Sequence, residues 1–215
     1  MIQVITVERE YGSQGADFAH HLAERLGWKL IDSCLIEDVA RKAGVAPTLV
    51  KRFDERIDPW YHRFGKTIWL GSLERLPGDP DVFDSERMVE FIRTYFQEQA
   101  ANGRCVVLGR GAAAVLARAA GAFHIFVYAS LRRKIEYLQQ RFPEHAKESE
   151  SQIVAIDRRR AEYIRRFHQR EWDDRRLYHL MMNSCMGMNA MVEAAITAAG
   201  LRSQVPEMVA QPTAS

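Results

Sequence analysis

Three short runs in this chain carry residue types and spacings suited to chemistry. The first is Tyr11-Gly12-Ser13-Gln14-Gly15, a glycine-bearing turn placed between an apolar run and a helical pattern. A strand that turns through glycines into a helix N-terminus points backbone N–H groups and the positive end of the helix dipole at one spot, which suits phosphate. The same residues would equally suit a turn that needs glycine for its backbone and binds nothing. Measured against G-x-x-x-x-G-K-[ST], Glu10 stands at the first glycine, Ala16 at the lysine and Asp17 at the Ser/Thr.

The second run is Gly109-Arg110-Gly111, directly after the apolar Cys105–Leu108. A guanidinium is a planar fork that grips phosphate oxygens bidentately, and flanking glycines let a ligand approach the backbone. The alternative is an ordinary surface arginine at a turn. The third run is Asp157–Phe167, rich in arginine. Ile153, Ile156, Tyr163 and Phe167 mark an apolar stripe, and Arg160 falls on it, where a charge must be paired or face a ligand. Arg158, Arg159, Arg165 and Arg166 lie off the stripe or at its edge and read as a solvated face with Asp157 and Glu162 as partners. Asp32 could orient a substrate group or a metal-bound water, or cap a helix in competition with Ser33. His20, His21, His168 and His179 stand in no triad or metal arrangement and read as structural or surface residues.

These residues need a frame. Ile2, Val4, Ile5 and Val7 predict a buried strand, and Phe18, Ala19, Leu22, Ala23 and Leu26 predict a helix closed by Gly27. Further strands are expected at Trp28–Asp32, Cys105–Leu108, Phe123–Tyr128 and Leu177–Met182. Helices are expected at Leu35–Ala43, from Pro47 through Phe53, from a cap at Asp84 or Ser85 to Asn102, and over Ala112–Ala120, Leu131–Phe142, Ser151 to about Arg170, and Met188–Ala199. Ile57–Pro80 is aromatic-rich and reads as an irregular insertion, Pro143–Ser149 as a loop, and the stretch from Ser203 as a disordered tail. Alternating strands and helices imply a parallel sheet, whose ligands bind at the carboxyl ends of the strands. Polar residues sit just there: Arg9, Glu10 and Gly12; Asp32; Gly109 and Arg110; Ser130; Asn183.

With 215 residues and a net charge of +2, the chain suits one domain and offers no global argument for nucleic acid. Cys34, Cys105 and Cys185 lack metal-ligand spacing and read as reduced thiols. No leader pattern and no apolar stretch of about 20 residues is present, so a soluble, cytoplasmic protein is expected.

Taken together, ITVEREYGSQG, LAERLGWKLID, VVLGRGAAAVL, FVYASLRRKI, the spacing of Asp157, Arg160 and Tyr163, and Trp172-Asp173 with Tyr178 and Asn183 resemble the cytidylate kinase-like proteins, nucleoside monophosphate kinases of the P-loop superfamily. The resemblance runs from Ile2 to about Ala199. It implies an α/β fold: a P-loop NTPase-like three-layer sandwich with a five-stranded parallel sheet, a monophosphate-binding insertion (about 44–83) and a small arginine-rich lid (about 143–172). These would form a single domain over 1–202, followed by the tail 203–215. It implies ATP and Mg²⁺ as cofactors and a nucleotide or other small phosphorylated substrate as partner, with no membrane; a homo-oligomer is compatible with it. Tyr11, Gly12, Ser13, Gln14 and Gly15 would hold the donor phosphates. Asp32 and Arg110 would bind the acceptor, and Arg158 and Arg160 would close on the transferring group. Arg9 would stand in for the missing lysine, and Asp17 is the candidate metal ligand. Two other readings follow from the departures. The missing lysine and hydroxyl suit a nucleotide-binding pseudo-kinase or regulator without turnover. An interaction protein contacting nucleic acid through Arg158–Arg176 is opposed by the acids interspersed there.

Overall fold

The apolar run near the N-terminus forms strand β1 (Val4–Arg9), buried from Val4 to Glu8. In this computed structural model residues 1–32, Leu35, 80–141 and 150–205 are described, 80–88 by backbone alone. The expected helix Leu35–Ala43 (beyond Leu35), the helix from Pro47, nearly all of the aromatic segment Ile57–Pro80, the loop Pro143–Ser149 and the tail beyond Val205 lie outside the described residues.

Helix α1 (Gly15–Leu26) follows the glycine turn and ends at Gly27, whose φ of 62° gives the left-handed C-terminal turn. Then come β2 (Lys29–Ile31), α2 (Pro80–Asn102), β3 (Cys105–Leu108), α3 (Ala112–Val115), β4 (Ala122–Tyr128), α4 (Leu131–Arg141), α5 (Glu150–His168), β5 (Leu180–Asn183) and α6 (Met188–Ala198). The five strands form one sheet in the order β2-β3-β1-β4-β5. All four pairings are parallel, with Val7 opposite Leu108 and Arg9 opposite Val127.

Alternation along β1 divides the core. Ile5 and Val7 pack with Phe18, Leu22, Met191 and Ile196 beneath α1 and α6. Val4 faces the other way, with Ile92, Phe96, Val107 and Leu116. A third cluster, including Phe126, Tyr163, Ile164 and Trp172, seats α5 on that second face. Parallel strands covered on both faces read as continuous apolar runs, which is why these strands stood out in the sequence.

The boundaries depart furthest from expectation at α2, α3 and β5. Helix α2 starts at Pro80, ahead of Asp84 and Ser85, because proline suits the first helical turn. Helix α3 stops at Val115, not Ala120. The chain must re-enter the sheet at Ala122, so it continues in tighter turns, with Ala119 N–H bonding the Leu116 carbonyl at 2.9 Å. Strand β5 starts at Leu180, since Leu177 and Tyr178 turn inward to pack near Trp172. Ser203 and Gln204, at the head of the expected tail, form a short 3₁₀ turn with Arg202.

His124 lies buried in β4, its Nδ1 2.8 Å from Thr6 Oγ1, and its N–H donates to His179 Nδ1 at 2.9 Å. Burial, and secondarily His179, pushes its pKa down to about 4. The unfolded chain therefore takes up this proton first, near pH 6.5, and stability falls as pH drops from about 7 toward 4. Between pH 7 and 5 this residue should account for a loss of about 1–2 kcal/mol. The gap between urea midpoints at the two pH values should narrow in His124→Gln, leaving the share of His168, which burial also pushes down to about 4; an unchanged gap would refute the assignment.

Candidate functional site

The site grows from the carboxyl end of β1. Glu8 is 4% exposed. Its carboxylate accepts the Gly111 N–H at 3.1 Å and the Trp172 Nε1–H at 3.4 Å. Burial pushes the Glu8 pKa up, against the pull of neighbouring Arg9. Arg9 runs between two glycines that leave it room: a Cβ at Gly15 would fall onto its Cβ, and one at Gly109 onto its Nη1. Gly109, Arg110 and Gly111 are successive left-handed residues, with φ of 72°, 59° and 74°. Such a conformation costs a non-glycine residue on the order of 1–2 kcal/mol, and it points to a positional demand on Arg110. Arg110 is 9% exposed.

Helix α5 brings Asp157 and Arg160 across from the far end of the chain. Asp157 Oδ1 accepts the Tyr11 N–H at 2.7 Å, and Oδ2 lies 2.8 Å from Lys134 Nζ. Lys134, 7% exposed, also pairs with Glu10 Oε2 at 2.9 Å. Arg160 Nη1 donates to the Arg9 carbonyl at 2.7 Å and lies 3.7 Å from Asp157 Oδ1. Its guanidinium carbon sits 5.8 Å above the Tyr11 ring.

Glu8, Arg9, Arg110, Arg160, Tyr163 and Trp172 line a shared hollow of about 20 Å³. Arg9, Arg110 and Arg160, from distant segments, thus line one hollow together with Glu8, the lining carboxylate among the described residues. Burial, with the Arg160 charge second, pushes Arg9 down to about 9, and burial also lowers Arg160. An added anion would relieve that crowding of positive charge.

The turn itself is partly engaged. The Tyr11 N–H is held by Asp157, and the Ser13 N–H reaches the Glu10 carbonyl at 3.3 Å. The Ser13 hydroxyl donates to the Glu10 and Val127 carbonyls at 2.8 and 3.1 Å, tying the turn to β4. Gln14 is left-handed with φ of 62°, and Gly12 has φ of 76°. Among the described residues, the Gly12 and Gln14 amides meet no acceptor.

Other sequence-predicted residues lie elsewhere. Arg158 points outward, its side chain 79% exposed and its Nε donating to Glu162 at 2.9 Å. Two residues apart on a helix, Arg158 and Arg160 cannot share a face. Asp32 Oδ1 accepts the Leu35 N–H at 3.0 Å, a capping contact, and it does not line the hollow. Asp17 Oδ2 accepts the Tyr137 hydroxyl at 2.7 Å. Sequence reasoning missed Glu8 and the bridging position of Lys134. A glutamate at a buried strand position was the available signal for Glu8; Lys134 gave none locally. Among the described residues no group of three or more His, Cys, Asp or Glu could hold a metal ion, and no helix is long and apolar enough to cross a membrane. Cys105 is buried, Cys185 exposed, and both are free thiols.

A model of the cytidylate kinase-like family matches residues 4–185. No curated protein matches the chain. An uncharacterized protein from Eubacterium ventriosum ATCC 27560 superposes with a TM-score of 0.62 at 20% identity, covering 94% of this chain and 100% of that one. A gluconokinase from Sinorhizobium meliloti 1021 gives 0.52 at 15% identity, over 92% and 91%. A shikimate kinase from Bacteroides thetaiotaomicron gives 0.50 at 12% identity, over 94% and 100%. These likenesses concern the fold, the P-loop-kinase sandwich.

Proposed function

Since the chain belongs to the cytidylate kinase-like family, we propose that it moves the γ-phosphoryl group of ATP to a nucleoside monophosphate or similar small phosphoacceptor. The observation that carries this reading is the meeting of Arg9, Arg110 and Arg160 around one hollow, with Glu8 the lining carboxylate among the described residues. Phosphoryl transfer asks the protein mainly for position and for cations around the developing charge. In this reading the turn Tyr11–Gly15 holds the donor phosphates through its amides. Arg110, fixed by its left-handed backbone, grips the acceptor phosphate. Arg160 stabilises the transferring group, and Arg9, packed against Gly15 and Gly109, adds charge at the carboxyl end of β1. Arg158 and Asp32 reach the substrates only if they leave Glu162 and the Leu35 amide. Mg²⁺, when bound, neutralises charge on the donor phosphates. It would be held mainly by phosphate oxygens and water, with Asp17 as the protein oxygen ligand. At about 20 Å³ the hollow has room for about one water, so a phosphate enters as α5 parts from the turn.

The test is an ADP-release assay with Mg²⁺ across CMP, UMP, AMP and GMP. Turnover with any acceptor supports the reading; none, with folded protein, rejects it. Arg110→Ala should raise the acceptor KM by about 10- to 100-fold with a smaller change in kcat, the expected loss of a charged hydrogen-bond donor.

A second reading, nucleotide binding without turnover, is favoured by Ala16 at the lysine position and by the Asp157 carboxylate on the Tyr11 amide. Calorimetric binding of ATP without product formation would support it.

A further inference from the structure

We propose that Lys134 supplies, from helix α4, the phosphate-binding cation that the turn lacks at Ala16, and that the Asp157 carboxylate holds the phosphate's place until a ligand displaces it. The proposal rests on the reading of Tyr11–Gly15 as the donor-phosphate turn.

Asp157 is held as a bound anion would be. One of its oxygens takes the Tyr11 backbone N–H at 2.7 Å; the other takes the Lys134 ammonium at 2.8 Å. Arg160 Nη1 approaches the first oxygen to 3.7 Å. An amide, an ammonium and a guanidinium form the donor set of an oxyanion site. The Lys134 stem lies along the turn: a Cβ built at Gly12 would be 3.1 Å from Lys134 Cβ. Glu10 steadies the ammonium from behind. Its Oε2 lies 2.9 Å from Nζ and also accepts the Ala129 N–H at 3.0 Å, which anchors it to the end of β4. An ammonium on a flexible stem keeps its donors when one oxyanion replaces another. Phosphate entry thus exchanges the Asp157 carboxylate for phosphate oxygens at the Tyr11 amide and at Lys134. Asp157 and Arg160 lie three residues apart on α5, so this exchange frees the helix segment that carries Arg160.

The test uses the full chain, calorimetry, and two probes: inorganic tripolyphosphate, and ATP with Mg²⁺. Asp157→Asn removes the competing charge and should bind tripolyphosphate about tenfold more tightly than the wild type. Adding Lys134→Met to Asp157→Asn removes one cation and one anion together, which keeps the local charge balanced. It should weaken binding at least about tenfold relative to Asp157→Asn alone, and Lys134→Arg in the same background should restore most of it. Unfolding midpoints confirm that each variant is native. An Asp157→Asn protein that binds no more tightly, or a double variant that binds as well as Asp157→Asn, overturns the proposal. ATP binding that is indifferent to Lys134 overturns it while leaving the phosphotransferase reading intact. The expected tripolyphosphate series without ATP binding supports Lys134 and overturns ATP as donor. Failure of every native variant to bind either probe overturns both.

Discussion

Arg160→Ala is expected to lower kcat for phosphoryl transfer by about 10²–10³-fold, the usual cost of one preorganised donor to transition-state charge. Arg160 earns this expectation by place: it shares the hollow with Arg9 and Arg110, and it donates to the Arg9 carbonyl at 2.7 Å, so its own position and that of the β1 end are coupled. The effect should fall on kcat more than on the acceptor KM, because the interaction grows as charge develops. Arg160→Lys keeps a charge but loses the planar fork, and should recover only part of the rate. Steady-state kinetics at saturating acceptor measure this. A kcat unchanged by Arg160→Ala would remove Arg160 from the chemistry and leave it a brace for β1.

Lys134→Met alone should destabilise the protein by about 3 kcal/mol. The ammonium is the shared partner of Glu10 and Asp157, whose side chains are 27% and 15% exposed. Removing it leaves two neighbouring carboxylates without their shared cation, Asp157 keeping only Arg160 at 3.7 Å, and breaking a buried pair costs more than the pair contributes. Partial exposure of Glu10 keeps the figure at the low end of that range. Urea unfolding at pH 7 measures the loss. The Asp157→Asn background should recover much of it, since one of the stranded charges is then absent. A single variant as stable as the wild type would show that water already satisfies both acids.

Much of the frame was legible because its physics is local. Apolar strands, the glycine turn and the helix beginning at Gly15 each announce themselves within a few residues. The carboxyl-end rule for parallel sheets then pointed to Arg9 and Arg110, both of which line the hollow. Arg160 was legible as a charge on an apolar stripe. What stayed hidden depends on partners far along the chain. Glu8 is explained by Gly111 and Trp172, and nothing near it in the sequence predicts either bond. Lys134 looks like one cation among several on α4, and becomes distinct only when Asp157 and Glu10 arrive beside it. Arg158 was paired with Arg160 by the family resemblance alone; its place off the apolar stripe already marked it as solvated, and it bonds Glu162.

The reach of those contacts bears on biosynthesis. Tyr11 meets Asp157 across 146 residues, Arg160 meets Arg9 across 151, and Glu8 meets Trp172 across 164. β1, the first strand in chain order, is the central strand and gains both neighbours only when β3 and β4 have been translated. Loop-closure entropy must be met before such pairings reward the chain, and until then β1 is an unpaired, strongly apolar strand. A chain truncated before Trp172 would keep the glycine turn yet leave the buried Glu8 carboxylate without its indole donor.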